Sequence, residues 1–145
     1  MARSKFTAKL VLKAQPGNLK VSQQFLQAAG RIVVDDVIAG IKAQRQLDNA
    51  PLKPNAKSTK EAKRRAGMPP LSLIAEGQHL INRATYAIRT TARTMQVRLT
   101  GKWDRIAGYL FKLGYRGWMG LGPRAGGKIM KLYKEEMLRL LTGKK

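Results

Sequence analysis

Residues 84–103 read Ala84-Thr-Tyr-Ala-Ile-Arg-Thr-Thr-Ala-Arg-Thr-Met-Gln-Val-Arg-Leu-Thr-Gly-Lys-Trp103, and they decide the fold class. Ala84, Tyr86 and Ile88 fall on one side of an extended chain, and Met95, Val97 and Leu99 do the same further on. Polar residues around "TTAR" (90–93) separate the two runs. Two period-two segments joined by a polar turn predict a β-hairpin, or two strands of a larger antiparallel sheet. The opposite side carries Arg89, Arg93 and Arg98, so the solvent face of this sheet is expected to be basic.

The segments on either side have a different period. From Leu19 to Gln46, Val21, Phe25, Ala28, Ile32, Val33, Val37 and Ile41 recur at helical spacing, with Ser22 as the expected N-cap. At the other end, "KIMKLYKEEMLRLLTGKK" (128–145) is an amphipathic helix with Ile129, Leu132, Tyr133, Met137, Leu140 and Leu141 as its buried stripe. Trp103, Ile106, Ala107, Leu110 and Phe111 form one face of a shorter helix that Gly114 ends. A further short helix is expected over 76–82. The fold class is therefore α+β: a long N-terminal helix and a C-terminal amphipathic helix packed on a small antiparallel sheet. Residues 1–19 read as a basic N-terminal arm, in which "FTAKLVL" (6–12) has the pattern of a short strand ended by "QPGN" (15–18). Residues 20–145 read as a single domain with a basic loop at 47–70.

That loop runs from "LDNAPLKPNA" (47–56) into a short helix. Ser58 and Glu61 stand in capping-box relation, and Gly67 is placed as its stop. Residues 53–67 hold six cations, Lys53, Lys57, Lys60, Lys63, Arg64 and Arg65, against one acid, Glu61. Lys60, Lys63 and Arg64 share a helix face. These six are the candidate residues for meeting DNA or an acidic partner.

Charge is the outlier of the composition. The 145 residues carry 29 Lys plus Arg against 8 Asp plus Glu, a net +21, with 43% hydrophobic residues and no cysteine. Such a field attracts polyanions and opposes self-association unless partners neutralise it. The absence of cysteine excludes disulfide scaffolds, thiolate zinc sites and cysteine nucleophiles. The N-terminus lacks the apolar core of a secretory signal, no apolar run reaches about 18 residues, and no membrane association is expected.

Little here supports catalysis, and the expectation is a non-enzyme without cofactor or metal. His79 is the single histidine, and nearby Glu76 alone completes no metal site. Asp35 and Asp36 are adjacent on a helix, so they point about 100° apart and make a poor acid–base pair; they read as exposed anions offsetting nearby cations. "GLGPRAGG" (120–127) lacks the spacing of a phosphate loop, since Gly127-Lys128 is followed by Ile129. The longer segment "GYRGWMGLGPRAGG" (114–127) reads as an irregular or partly extended, glycine-rich connector that exposes Tyr115 and Trp118. Aromatics, at 6%, do not form a base-stacking platform. Contact with DNA is thus expected to be to backbone phosphates and salt-sensitive.

The order of these pieces resembles the tail completion (virion morphogenesis, head–tail joining) proteins of tailed bacteriophages. A helix ending in "DDVIAGIKAQRQ" (35–46) precedes "APLKPNAKSTKEAKRRAGMPPL" (50–71) and "LIAEGQHLINRATYAI" (73–88). Two strands follow, then "IAGYLFKLGYRGWMGLG" (106–122) and a closing amphipathic helix. The family pattern is matched at Pro51-Leu52, Ser58-Thr59, Lys63, Gly67, Pro70-Leu71 and Gly77-Gln-His-Leu80, then at Phe111-Lys-Leu-Gly114 and Trp118-Met-Gly120. The likeness spans about residues 20–141. Arg116-Gly117-Trp118 stands where the family often has Arg-Pro-Phe, and "WDRIAGYL" (103–110) replaces its tyrosine-led stretch. The resemblance implies a structural protein of the virion neck or upper tail, made in the host cytoplasm. Such a protein forms a closed homo-oligomeric ring against neck, tail terminator or tail tube proteins, around double-stranded DNA contacted without sequence preference. Trp103, Phe111, Tyr115 and Trp118 are the expected protein-interface residues, because exposed aromatics serve as binding anchors.

Overall fold

The computed structural model describes residues 7–12, 20–74 and 78–143. Its elements in chain order are β1 (Thr7–Val11), α1 (Gln23–Lys42), α2 (Lys57–Arg65), β2 (Tyr86–Thr90), β3 (Thr94–Leu99), α3 (Lys102–Lys112) and α4 (Pro123–Thr142). Short 3₁₀ turns at His79–Ile81 and Arg83–Thr85 lead into β2. Of the helix expected over 76–82, the described part is the first of these turns; residues 76 and 77 lie outside the described residues. The fold is α+β with an antiparallel sheet of order β1-β3-β2.

The hairpin forms where the alternation places it. Tyr86 pairs with Leu99 and Ile88 with Val97. Met95, Val97 and Leu99 are buried on the side facing α1. The third strand comes from the expected basic arm: β1 pairs antiparallel with β3, Ala8 opposite Val97 and Leu10 opposite Met95. Ala8 is buried, and Leu10 and Leu12 pack against the core. The arm thus supplies core residues between 7 and 12; the remainder of 1–19 lies outside the described residues.

α1 has a layer on each side, which is why half of its 20 residues are buried. One side faces the sheet, and at Gly30 a Cβ atom would come within 2.5 Å of Ile88 Cγ2. The other side faces α4. The Phe25 and Tyr133 rings meet with centroids 5.9 Å apart. Ser22 accepts the Phe25 amide at 3.1 Å as the N-cap and donates its hydroxyl to Glu136 at 2.8 Å. Asp36 pairs with Arg124 further along. Contacts running from 22–136 to 36–124 make the two helices antiparallel. The amphipathic α4 therefore packs chiefly on α1, rather than on the sheet as expected. The reason is that α1 already covers the inner sheet face, so the α4 stripe finds its apolar partner one layer out.

α4 also begins earlier than its apolar stripe indicates. It starts at Pro123, not near Lys128. Proline is well suited to the first helical position, where no amide is needed, and the buried Ala125 continues the contact surface back to that point.

Candidate functional site

The basic loop is fastened to the body by polar side chains. Asp48 accepts the Ala50 amide at 3.0 Å, turning the chain after α1. The Gln44 side-chain amide exchanges two hydrogen bonds with the Ser72 backbone, at 2.7 and 2.9 Å. Asn55, buried, donates to the Leu71 carbonyl at 3.0 Å and accepts from the Tyr115 hydroxyl at 2.9 Å. These bonds align residues 53–55 with 71–72 and leave α2 as a surface helix between them. α2 buries no residue. It starts at Lys57, so the expected capping box does not form: Ser58 lies inside the first turn and Ala56 occupies the cap without a side-chain bond. Its end is as expected. Gly67 takes φ +74, with Met68 N–H donating to Lys63 and Gly67 N–H to Arg64, a Schellman stop.

The six candidate cations divide by role. Lys53 reaches the Leu113 carbonyl at the C-terminus of α3, where a cation meets the helix dipole. Its ammonium also stands 5.5 Å from the Tyr115 ring centroid. Lys63 donates to the Leu71 carbonyl and is half-buried, and the loss of solvent pulls its pKa below the usual lysine value. These two fasten the loop. Lys57, Arg64 and Arg65 are exposed and Lys60 is half-exposed. Of the face expected to unite Lys60, Lys63 and Arg64, Lys63 is turned to the body.

Between α2 and α3 lies a cleft of about 300 Å³. Leu73, Leu80, Trp103, Ile106 and Leu110 make its apolar wall, and Asn55, Thr59 and Lys63 supply its polar groups. At the rim the His79 imidazole stacks on Trp103, centroids 4.2 Å apart, and Lys102 stands 5.0 Å from the same indole.

The four expected interface aromatics separate. Trp118 and Tyr115 are 2% and 9% exposed and belong to the core, which corrects the expectation that the glycine-rich connector exposes them. The connector folds inward because Leu47 N–H bonds the Gly117 carbonyl at 2.7 Å and Asn55 captures the Tyr115 hydroxyl. Trp103 is half-buried in the cleft wall. Phe111 is exposed, with the Arg116 guanidinium 4.3 Å over its ring. Tyr109 and Leu113 are exposed too, but at helical spacing they stand on a side of α3 away from Phe111.

The two adjacent acidic residues of α1 are both engaged in ion pairs. Asp35 forms an exposed ion pair with Arg83 at 2.7 Å. Asp36 is not an exposed anion: its carboxylate is largely buried and takes the Arg124 Nε at 2.9 Å. Among the described residues no group of three or more His, Asp or Glu side chains is placed to hold a metal. No helix among them is long and apolar enough to cross a membrane. No protein-family model, curated protein or solved structure matches this chain.

Proposed function

We propose that this protein is a structural component of a tailed-bacteriophage virion, a subunit of a closed ring in the neck or upper tail that completes the tail and joins it to the DNA-filled head. The observation that supports this reading is where the residues of the resemblance sit. Some of them, separated widely in the chain, meet at the α2–α3 cleft. Thr59, Lys63 and Leu80 line it, Lys63 bonds Leu71, and Lys53, beside Leu52, reaches over Gly114 to the end of α3. A spacing pattern some of whose members meet in space supports the likeness better than the spacing alone.

In this reading the chain is not an enzyme. The long N-terminal helix, the C-terminal helix and the sheet form a rigid body, and docking to neighbouring ring proteins is its activity. Each copy brings +21, so a ring requires DNA or acidic neighbours to neutralise it. The exposed cations of α2 and the exposed α3 aromatics Tyr109 and Phe111 are the surfaces for contacts with neighbouring ring proteins. The competing reading is a basic nucleic-acid-binding module without sequence preference, favoured by the same charge.

Light scattering of the purified protein, at low and high salt and with or without a short duplex, tests the two. A ring mass, or a monomer that leaves DNA as salt rises yet joins neck or tail components, is the expected result. A stable monomer that holds DNA or RNA at nanomolar affinity in physiological salt, and enters no larger assembly, sinks the virion reading.

A further inference from the structure

The side of the sheet turned away from α1 carries cations contributed by all three strands. The registers align Ala87, Arg98 and Thr7 in one row and Arg89, Gln96 and Lys9 in the next. Because side chains alternate, these six share the face opposite Met95, Val97 and Leu99. None of the six is buried. The three strands contain no acidic residue. Strands lie about 4.8 Å apart and rise about 3.3 Å per residue. Arg89 and Lys9 therefore start about 10 Å apart across the sheet, with Arg98 between them and about 7 Å further along. Arg93 stands exposed in the turn at one end of the face.

We infer that this sheet face binds the phosphate backbone of double-stranded nucleic acid. The chemistry of the face selects the partner. It offers long cationic donors together with the shorter polar groups of Gln96 and Thr7, the side-chain types that contact phosphates. It presents no Phe, Tyr or Trp, so it has nothing on which unpaired bases stack, and a single strand gains no advantage over a duplex. At the centre of a stable protein interface, anchors such as Trp, Tyr or Arg are packed within a desolvated, largely apolar core. Here the centre is Gln96 and Arg98, and the exposed apolar residue, Val11, lies at a corner. Lys9 joins the face only through the pairing of β1 with β3, so three segments distant in the chain meet on one surface. The inference concerns the isolated chain. A monomer in light scattering leaves it intact, and loss of this DNA contact leaves the ring reading intact.

The test is fluorescence anisotropy of a 20-base-pair duplex, titrated with the full chain from about 50 to 200 mM salt, for two charge-matched variants. One carries Lys9→Gln, Arg89→Gln and Arg98→Gln; the other carries Lys57→Gln, Arg64→Gln and Arg65→Gln. Each neutralised phosphate contributes about 0.9 to the log–log salt slope. The sheet variant is expected to lose about 2.7 of slope and at least tenfold in affinity at 100 mM salt, whereas the α2 variant changes by less than threefold. Equal losses in both variants mean that net charge alone binds DNA, and they overturn the inference, as does a loss confined to the α2 variant. Polyglutamate that displaces the duplex as well as unlabelled duplex does assigns the face to an acidic protein instead, and also overturns it. Should the triple sheet variant fail to fold, Arg89→Gln alone carries the test, since its side chain is exposed on the β2 edge strand: a slope lower by about 0.9 supports the inference, and an unchanged slope rejects it.

Discussion

Asp36 on α1 accepts a hydrogen bond from Arg124 Nε at 2.9 Å, and Arg124 also reaches Asn49 in the loop after α1. One guanidinium thus fixes the first turn of α4, the end of α1 and the start of the basic loop together. Removing one partner of a buried pair costs about 3–5 kcal/mol because the other charge is left without compensation. The Arg124 side chain is 34% exposed, and that water access reduces the cost to about 2 kcal/mol. Asp36→Ala is accordingly expected to lower the unfolding free energy measured by urea melts by that amount, while Asp35→Ala, whose pair with Arg83 is exposed, changes stability by less than about 0.5 kcal/mol. Equal effects at the two positions are incompatible with this role for Arg124.

Gly30 has a steric reason to be glycine. An added Cβ stands 2.5 Å from Ile88 Cγ2 and 3.1 Å from two more of its carbons, and a β-branched side chain on a strand has little freedom to move aside. Helix propensity favours alanine over glycine by about 1 kcal/mol, so propensity alone makes Gly30→Ala stabilising. Overpacking reverses the sign, and a net loss of about 1–2 kcal/mol is expected. Adding Ile88→Ala removes the obstructing methyl, so the double variant should lose clearly less than the sum of the two single changes. Additive losses in thermal melts count against the clash.

The Tyr86 phenol is buried and donates to the Leu80 carbonyl at 2.6 Å. Burial pushes its pKa well above the ordinary value of 10.0. A pKa raised on folding contributes stability that is complete below the unfolded value and is lost as pH climbs above it. Stability should therefore fall beyond pH 10. In an absorbance titration of the four tyrosines, Tyr86 should ionise only with unfolding, and Tyr86→Phe should remove this alkaline slope. Lys63 has the opposite sign. Its pKa is lowered by desolvation, so the unfolded chain binds more protons between that lowered value and 10.5, and stability rises with pH across that interval. A Tyr86→Phe protein that keeps the same decline beyond pH 10 places its origin elsewhere.

What the sequence reveals follows from which interactions are local. The hairpin was legible because period two over Tyr86–Ile88 and Met95–Leu99 is a property of each segment. The Ser22 cap and the Gly67 stop were legible for the same reason, as each acts within a few residues. The position of α4 on α1 was not, because an amphipathic stripe states that a helix is covered and not by what. Asp36 and Arg124 lie 88 positions apart, and Asn55 and Tyr115 lie 60 apart; nothing in either neighbourhood announces the partner. Tyr115 and Trp118 were misplaced because glycine content marks a connector without giving its direction. Two of the three strand cations of the sheet face, Arg89 and Arg98, were visible in the sequence. Lys9 needed the long-range pairing of β1.

Lys53 and Lys63 share a charge and a loop with Lys57 and Arg65, yet the four should behave in two pairs. The Lys53 ammonium meets the Leu113 carbonyl at the C-terminus of α3, and Lys63 meets the carbonyl of Leu71. A hydrogen bond from a charged donor contributes about 1.5–3 kcal/mol, less here because Lys53 is exposed and solvent competes with the carbonyl for its ammonium. Lys53→Ala is thus expected to cost about 1 kcal/mol, and Lys63→Ala somewhat less, since removing its desolvated charge offsets part of the lost bond. Lys57→Ala and Arg65→Ala, exposed on a helix that buries nothing, should stay within about 0.5 kcal/mol. Hydrogen exchange adds the spatial reading: Lys53→Ala should speed exchange at the last turn of α3, whereas Lys57→Ala should leave it unchanged. If all four substitutions prove neutral and α3 exchanges as before, the fastening role of the two inward lysines fails, and the whole loop is a solvated cationic surface.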